Sequence, residues 1–352
     1  MQDEKNKKGI IKMDSKFLKI DISSSPHVKR PVDVKKIMRN VVFALLPVSA
    51  FAVYAFGISA LTLIVTTTFF SVVTEYVIDL IEKKESTVGD YSAVITGLLL
   101  GLTLPPGFPI WMAALGGIVS IALGKYLFGG LGFNVYNPAL VGRGFLQAAF
   151  PVSISTWHPS FQADRFTSFF SSNLAFPFAK PTVDSVSGAT PLAAFKFEQK
   201  STEVANLIFG QTDGSLGETG GLLILLCGMY LAVRKMLDWR IPAGIFAAVI
   251  LLSVIFNLIN PEKYPSAMFM LFSGGLMIGA VFMATDMVTS PVTSLGTWLY
   301  AIMIGILIYV IRVWGGLPEG VMFAILLGNS LAPIFNILTK PRVYGTKKAG
   351  AK

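Results

Sequence analysis

The sequence contains few of the residues that soluble enzymes commonly use for chemistry. Among its 352 residues are one cysteine, Cys227, and two histidines, His27 and His158. A single cysteine excludes a disulfide within the chain and an iron–sulfur cluster held by this chain's cysteines alone. Both histidines fall outside the apolar runs, which argues against a haem held by two histidines in a membrane. Charged residues make up 14% of the chain, whereas soluble domains contain about 25%.

Long apolar runs fill most of the sequence instead, and many are close to the length that crosses a bilayer as a helix. The first forty residues are rich in lysine and have no apolar core, so we do not expect a cleavable signal peptide. We predict an all-α integral membrane protein with about ten transmembrane helices. The predicted segments are residues 40–57, 58–81, 92–105, 108–127, 136–151, 219–234, 241–260, 266–286, 294–311 and 319–339.

The distribution of lysine and arginine predicts the orientation of these helices. With the N-terminus in the cytoplasm, the cytoplasmic segments hold 22 of the 29 basic residues and the external segments hold six. Arg143 falls within a predicted helix. Cytoplasmic loops of membrane proteins are enriched in basic residues, so the net charge of +9 indicates orientation rather than nucleic-acid binding. An even number of helices returns the C-terminus to the cytoplasm, and we expect the protein in a prokaryotic inner membrane.

The chain therefore divides into five predicted parts. They are a cytoplasmic tail (1–39), a first membrane repeat (40–151), an extracytoplasmic loop (152–218), a second membrane repeat (219–339) and a cytoplasmic tail (340–352).

The two membrane parts show an internal repeat. Residues 129–142, GGLGFNVYNPALVG, match residues 315–328, GGLPEGVMFAILLG, at six of fourteen positions. Each half holds five predicted helices, so the second half enters the membrane from the opposite side. Inverted repeats of this kind place functional sites where broken helices meet. The predicted breaks are GLTLPPGFP (101–109) and ATDMVTSPVTS (284–294).

Residues 184–191, DSVSGATP, lie in the polar loop between the repeats. Pro191 disfavours helical backbone at Thr190, so the sequence predicts an extended residue that presents a hydroxyl. Gly188 permits a close approach by another backbone or a ligand. A segment of serine, threonine, glycine and proline is most often an ordinary loop.

The same segment resembles the acceptor motif of flavin transferases, D-x-x-(S/T)-G-A-T. The five fixed positions are matched by Asp184, Ser187, Gly188, Ala189 and Thr190. The resemblance implies that Thr190 carries FMN through a phosphoester bond, which a flavin transferase makes outside the cytoplasm from FAD. The predicted external position of the loop agrees with this.

Longer stretches extend the resemblance to nearly the whole chain. Residues 24–47 (SSPHVKRPVDVKKIMRNVVFALLP), 124–143 (GKYLFGGLGFNVYNPALVGR) and 184–192 resemble the D subunit of the Rnf complex, the ion-translocating ferredoxin:NAD⁺ oxidoreductase. The related B subunit of the Na⁺-translocating NADH:quinone oxidoreductase has a longer N-terminal region and remains the alternative. A channel or secondary transporter without a redox role is a second alternative, because inverted repeats suit it equally well.

The resemblance implies partners and cofactors beyond the chain itself. It implies other membrane subunits, subunits with iron–sulfur clusters and a second covalent flavin, and ferredoxin and NAD⁺ that react elsewhere in the complex. It also implies that a noncovalent flavin, riboflavin, could lie between the repeats. A flavin can pass single electrons, and a phosphate tether leaves its ring free to react.

Two polar positions within the membrane segments are further candidates. Asp286 lies beside the second break, where Thr285 and Thr289 could supply more oxygen ligands for an ion path. The alternative is that Asp286 caps a helix at the cytoplasmic surface. Arg143 could bind a flavin phosphate or ring oxygen, or it could form a buried ion pair or extend its side chain to the membrane surface. We expect no metal site.

Other polar and aromatic residues complete the set of candidates. Glu75 and Asp79 are expected near the cytoplasmic surface. Three aromatic residues of the loop could cover a flavin ring: Trp157, Phe161 and Phe166.

Overall fold

The computed structural model of the chain describes residues 33–84, 86–177 and 189–341, and these ranges are helical with no β-strand. This agrees with the predicted all-α class. Short 3₁₀ turns at Val88–Asp90, Tyr126–Phe128 and Ser171–Leu174 and one π-helical turn at Gly279–Met283 lie between the α-helices. The α-helices are α1 Val34–Phe56, α2 Ile58–Glu82, α3 Ser92–Leu102, α4 Ile110–Ala122, α5 Pro138–Ala149, α6 Pro151–Ile154, α7 Pro191–Glu198, α8 Val204–Phe209, α9 Gly221–Val233, α10 Arg240–Ile259, α11 Ala267–Phe272, α12 Leu276–Ile278, α13 Ser294–Trp314 and α14 Val321–Leu338.

Six stretches among the described residues are long and apolar enough to cross a membrane, which indicates a multi-pass membrane protein. Two shorter apolar helices, α3 and α9, fall below that length. Each of the ten predicted segments contains helix, but a count of ten spans stays a prediction. The six stretches are Val34–Phe56, Ile58–Glu82, Ile110–Phe128, Arg240–Ile259, Ser294–Trp314 and Val321–Leu338.

The predicted boundary of the first segment differs from the structure. α1 begins at Val34, six residues before the predicted start at residue 40. The first turns contain Lys35, Lys36 and Arg39. These residues are charged, so an apolar run does not include them. Lysine and arginine are good helix formers, so the helix extends beyond its apolar part.

The helices of the two halves pack in corresponding ways. In the first half, α2 packs against α3 and α4, and α4 packs against α5. In the second half, α10 packs against α11 and α13, and α13 packs against α14. Contacts between α1 and α9 and between α5 and α14 join the halves.

Non-helical backbone occurs at both predicted breaks. α3 ends at Leu102 and α4 begins at Ile110, and Pro105, Pro106 and Gly107 lie between them. In the second half, the helical turns end at Met283 and α13 begins at Ser294. The segment before this second break is also less regular than predicted, because it divides into α11, α12 and the π turn.

The long loop is fastened to the membrane helices at the junction of α1 and α2. Gly57 separates the two helices and has a φ of +71°, which favours glycine. A Cβ at this position would clash with the carbonyl group of Arg165 in the loop. That carbonyl accepts a hydrogen bond from Ile58 N at 2.9 Å.

Candidate functional site

Thr190 is the residue immediately before α7, and its backbone is extended, with φ −61° and ψ 151°. This is the conformation that Pro191 favours. The Oγ1 atom of Thr190 accepts a hydrogen bond from Ala193 N at 3.2 Å and so caps the helix. The residue is 1% exposed. The hydroxyl is therefore held in one place and covered by the surrounding chain.

Of the other four residues of the predicted acceptor motif, the structure describes Ala189. Ala189 is exposed and directly precedes the cap. Asp184, Ser187 and Gly188 lie outside the described residues, so their predicted role stays a prediction.

Lys196 joins α7 to the end of α13. Its ammonium group donates hydrogen bonds to the carbonyl oxygens of Arg312 at 2.9 Å and Leu317 at 3.2 Å, and also to that of Gly315. The last carbonyl groups of a helix have no partner within it, and a lysine can satisfy them. Burial lowers the pKa of Lys196. This contact fixes the helix that Thr190 caps.

A second contact joins α7 to the start of α12. The side chain of Leu192 occupies the space beside Gly274, where a Cβ would overlap it. Gly274 also has a φ of +63°. Both observations require glycine at this position. The contact between Leu192 and Gly274 holds the first turn of α7 against the segment between α11 and α12.

The broken end of α3 is satisfied by groups from other parts of the chain. Proline cannot donate the hydrogen bonds that would continue the helix, and exposed backbone groups are costly in a membrane. The carbonyl groups of residues 102–104, at and just after the end of α3, each receive a donor. The pairs are Gly217 N to Leu102 O at 2.6 Å, Leu216 N to Leu104 O at 3.1 Å, and the Arg143 guanidinium to Thr103 O.

Arg143 forms a buried ion pair in addition to this backbone contact. Its Nη2 atom lies 2.8 Å from Oε2 of Glu319, which precedes α14. Ion pairing is the alternative that the sequence left open for Arg143. The arginine joins the first break to the second half of the chain, and its predicted contact with a flavin stays a prediction.

Three charged residues near Arg143 were missed by sequence reasoning. Glu218 and Arg312 are 8% and 3% exposed, and Glu319 completes the group. Ser215 Oγ donates a hydrogen bond to Glu218 Oε1 at 2.6 Å. Glu218 and Arg312 directly flank predicted apolar segments, and Glu319 is the first residue of one. An ionisable residue at such a place could have been singled out as a partner for Arg143.

A cavity of about 100 Å³, open on one side to solvent, adjoins this group. We call it the loop cavity, because Ile154, Ser155 and Trp157 of the loop line it together with Arg143 and Glu319. Of the three aromatic candidates, Trp157 lines this cavity. Phe161 packs against Tyr54, and Phe166 is half exposed beside Arg165.

Asp286 and Thr289 both lie at the second break. The Oδ1 atom of Asp286 accepts a hydrogen bond from Val288 N at 3.2 Å, whereas the buried Oγ1 atom of Thr289 has no hydrogen-bond partner in the described ranges. Thr285 points back along its own helix and donates to Val281 O at 2.6 Å. Asp286 therefore caps a turn, as the alternative interpretation predicts. Its role in an ion path stays a prediction.

A second cavity, of about 100 Å³ and partly open, lies beside Asp286. We call it the Asp286 cavity. Its lining is mostly aliphatic, from α1, α3, α9 and the second break. A few polar side chains face it, which is the usual composition of a small-molecule site. They are Ser92, Thr96, Lys125, Asn134, Asn137, Thr285 and Asp286.

Lys125 and Glu75 form a buried ion pair at the edge of the Asp286 cavity. The two charged groups are 2.8 Å apart, and their side chains are 3% and 0% exposed. Ser92 Oγ accepts a second hydrogen bond from Lys125 at 2.7 Å. Asp79, one turn further along α2, accepts hydrogen bonds from Thr87. Both acids of α2 are thus buried, Glu75 in an ion pair and Asp79 in hydrogen bonds.

His158 attaches the loop to the first break. Its ring packs against Gly107 and lies 4.3 Å from the ring of Phe170. Burial lowers the pKa of His158. Neither ring nitrogen has a hydrogen-bond partner in the described ranges, and no group of three or more potential metal ligands occurs there.

Comparison with known proteins shows the family. A model described as the NQR2, RnfD, RnfE family matches residues 21–345. The chain belongs to this family. Because the match covers nearly all of the chain, the broken helices, the loop and both cavities lie within the family region.

Curated relatives in the NQR2, RnfD, RnfE family are named as D subunits. The chain is 38% identical to the D subunit of the proton-translocating ferredoxin:NAD(+) oxidoreductase complex of Clostridium ljungdahlii, over 93% of this chain and 96% of that protein. It is 39% identical to the Na(+)-translocating counterpart of Acetobacterium woodii, over 94% and 97%. It is 39% identical to the D subunit of the ion-translocating oxidoreductase complex of Stutzerimonas stutzeri, over 90% and 94%.

These names confirm the predicted resemblance to the D subunit of Rnf complexes. They also confirm that the chain belongs with subunits of ion-translocating oxidoreductases. One relative is named for protons and another for Na⁺ at almost equal identity. Sequence identity to these relatives therefore does not distinguish H⁺ from Na⁺ as the transported ion.

Proposed function

We propose that the chain is the membrane-embedded electron-transfer subunit of an ion-translocating ferredoxin:NAD⁺ oxidoreductase, with FMN bound to Thr190 through a phosphoester. The observation that carries the proposal is the position of Thr190. It completes the flavin-transferase motif, and its hydroxyl is fixed at the start of a helix that Lys196 fastens to α13. A flavin held there supplies one-electron transfer. The chain's own contribution is to keep that flavin close to its redox partners.

In-gel fluorescence tests this proposal. The chain is produced with and without an active flavin transferase, and a denaturing gel is viewed under ultraviolet light. We expect a fluorescent band only with the transferase, because a covalent flavin survives denaturation. A dark band in the presence of the transferase would overturn the proposal.

The architecture proposed for this function is ten transmembrane helices in two inverted repeats. The repeated packing of α2–α4–α5 and α10–α13–α14 supports it. The breaks after Leu102 and Met283 also fall at corresponding positions. Both termini are then cytoplasmic, in a prokaryotic inner membrane, and the loop with Thr190 is external.

Single-cysteine labelling checks this orientation. In a Cys227→Ser background, we expect an impermeant thiol reagent added to intact cells to label Lys200→Cys. Lys35→Cys should react only after the membrane is opened, because basic residues accumulate on the cytoplasmic side. Labelling of Lys35→Cys but not Lys200→Cys in intact cells would reverse the orientation and make external flavin attachment untenable.

The Asp286 cavity is the proposed site of a noncovalent flavin such as riboflavin. Lys125 and the amides of Asn134 and Asn137 could hydrogen-bond the polar edge of the ring, while the aliphatic lining covers its faces. The other subunits of the complex would then supply the iron–sulfur clusters, the second covalent flavin and the reactions of ferredoxin and NAD⁺.

Asp286 is proposed to support ion-coupled turnover, with Thr285 and Thr289 as further oxygen ligands. Asp286→Asn removes the charge at almost constant volume, and asparagine caps a turn equally well. We expect slower Na⁺ or H⁺ uptake by the reconstituted complex and slower coupled electron transfer, while Thr190 keeps its flavin. Both rates near wild type would leave Asp286 with the capping role alone.

Two alternatives make different predictions. The B subunit of a Na⁺-translocating NADH:quinone oxidoreductase would couple to quinone rather than to ferredoxin and NAD⁺. A channel or secondary transporter without a redox role would have no use for the acceptor motif. The gel experiment separates the latter from the proposal.

A further inference from the structure

Two arginine side chains are buried where the loop meets the membrane helices, and they differ in how their charge is balanced. Arg143 forms an ion pair with Glu319 at 2.8 Å. Arg312, in the last turn of α13, is buried and donates hydrogen bonds to the carbonyl oxygens of Met270 at 2.6 Å and Ser273 at 2.9 Å. Among the described residues, no acidic side chain lies within 4.0 Å of its guanidinium group. Buried charges in proteins are usually paired.

The hydrogen bonds of Arg312 leave one of its donors unused. The Nε atom is buried and has no hydrogen-bond partner in the part of the chain that the structure describes. Glu218 and Glu319 act on Arg312 from farther away than an ion pair, and Glu319 is already paired with Arg143. A buried donor without an acceptor is unfavourable. Arg312 therefore favours a further acceptor, and its charge favours an anion.

A cavity of about 170 Å³ adjoins Arg312 and is lined by two more cations. They are Lys196 of α7 and Lys263 of the α10–α11 loop, and we call this the cationic cavity. No aspartate or glutamate of the described ranges lines it. Its volume is several times the ~30 Å³ that one water molecule occupies in the liquid, so it has room for a phosphate group.

The three cations contribute to the cavity in different ways. Lys196 donates hydrogen bonds to three backbone carbonyl groups, so it supplies positive charge to the cavity rather than donors. Lys263 is exposed, and its ammonium group has no ion-pair partner among the described residues. Lys263 and the Nε atom of Arg312 therefore remain as donors for a bound anion.

The cationic cavity lies at the boundary between the membrane helices and the loop. Trp314, which lines it, is 51% exposed and packs against Phe256 of α10 with 5.1 Å between ring centroids. Leu258 and Ile259, at the end of α10, are largely exposed. Because α10 and α13 are both long and apolar enough to cross a membrane, we assign this exposed apolar surface to lipid. Tryptophan and tyrosine collect at the membrane surface, where lipid headgroups lie.

We propose that the cationic cavity binds the phosphate group of an anionic phospholipid at the membrane surface on the side of the loop. Lys263 and Arg312 donate hydrogen bonds to the phosphate oxygens, and Lys196 adds its charge. Trp314 and Tyr264 lie where the headgroup meets the acyl chains. The site does not depend on a flavin at Thr190.

The surroundings of the cavity favour a lipid over other sources of phosphate. A free phosphate ion has no apolar part to cover the exposed end of α10. Thr190 does not line the cavity, and its Oγ1 atom is turned to Ala193 N. Leu192 and Phe195 of α7 do line it. A bound headgroup therefore contacts α7 and the end of α13 together and strengthens the attachment of α7.

Native mass spectrometry of the purified full chain in detergent tests the site. We expect phosphatidylglycerol to bind more tightly than phosphatidylcholine, which has no net charge. Lys263→Met should weaken phosphatidylglycerol binding about fivefold, which corresponds to about 1 kcal/mol for one basic residue beside anionic lipid. Lys263→Arg keeps the charge and should bind as wild type does. Equal affinity for the two lipids, or unchanged affinity in Lys263→Met, would overturn the site.

Thermal unfolding provides a second readout with a matched control. A ligand that binds only the folded chain raises its unfolding temperature. Phosphatidylglycerol should raise this temperature in wild type and in Lys200→Met, which changes an exposed lysine of the same loop that pairs with Glu198. The rise should be smaller in Lys263→Met, whereas without lipid all three chains should unfold at similar temperatures. An equal rise in all three would contradict the proposal.

Two further samples identify the source of the phosphate. Excess inorganic phosphate should displace little phosphatidylglycerol, because it lacks acyl chains. Complete displacement at equal concentrations would overturn the assignment to a lipid in favour of free phosphate. Thr190→Val should bind phosphatidylglycerol as the flavin-bearing wild type does. Binding to Thr190→Val alone would mean that the flavin phosphoester occupies the cavity, and would likewise overturn the assignment to a lipid.

Discussion

Replacing Thr190 with valine is expected to abolish covalent flavin attachment and, with it, ferredoxin-dependent reduction of NAD⁺ by the assembled complex. Valine has nearly the shape of threonine but lacks the hydroxyl that the phosphoester requires. The measurement is in-gel fluorescence of the chain together with the reduction rate of the purified complex.

Two control variants separate the loss of the hydroxyl from the loss of the helix cap. Removing the cap costs only about 1 kcal/mol. Thr190→Asn keeps a good cap but has no hydroxyl, so its band should also be dark. Thr202→Val removes a hydroxyl elsewhere in the same loop and should leave the band fluorescent. Fluorescence in Thr190→Asn would place the flavin on another residue.

Among the substitutions considered for the two ion pairs, Lys125→Ala is expected to lower the free energy of unfolding most. Glu75 would then remain buried at 0% exposure without its partner. Removing one member of a buried ion pair costs about 3–5 kcal/mol, because the other charge stays unpaired. Thermal unfolding of the purified chain in detergent measures the difference from wild type.

Another ion pair in the same chain provides the matched control. Lys84 and Glu82 are 2.7 Å apart, but their side chains are 58% and 38% exposed. Lys84→Ala should cost about 0–1 kcal/mol, as exposed pairs do. The double variant Glu75→Gln/Lys125→Met removes both charges and should recover most of the lost stability. A Lys125→Ala chain as stable as Lys84→Ala would show that this ion pair does not stabilise the fold.

The positions of the helices could be predicted because the apolar runs are long and the breaks have local causes. Pro105, Pro106 and Gly107 interrupt α3 whatever surrounds them. The extended backbone of Thr190 likewise follows from the next residue, Pro191. Such features depend on neighbours in the sequence, and the structure agrees with the prediction at each of them.

Pairings between distant residues could not be predicted in the same way. Arg143 was recognised as a candidate, but its partner Glu319 belongs to the other half of the chain. The packing of α5 against α14 brings Arg143 and Glu319 together. Glu218 is the last residue of the predicted loop (152–218), and nothing in the local sequence indicates that it is buried. Its burial arises because residues 215–218 fold onto the broken end of α3.

The same limit applies to Asp286. The sequence identified an acid beside a break but could not distinguish a helix cap from an ion ligand. The structure supplies the capping hydrogen bond to Val288 and also places the residue at a cavity. These two roles are compatible, because a carboxylate that accepts one backbone hydrogen bond keeps further oxygen lone pairs.

The central claim is that the chain carries FMN on Thr190, and peptide mass spectrometry of the native chain tests it most directly. The complex is purified from cells with an active flavin transferase, and the chain is digested and fragmented. We predict a peptide that contains Thr190 and is heavier by the mass of FMN less one water, with fragment ions that assign the addition to Thr190. A complete set of unmodified peptides across residues 178–200, or an addition on another residue, would contradict the claim.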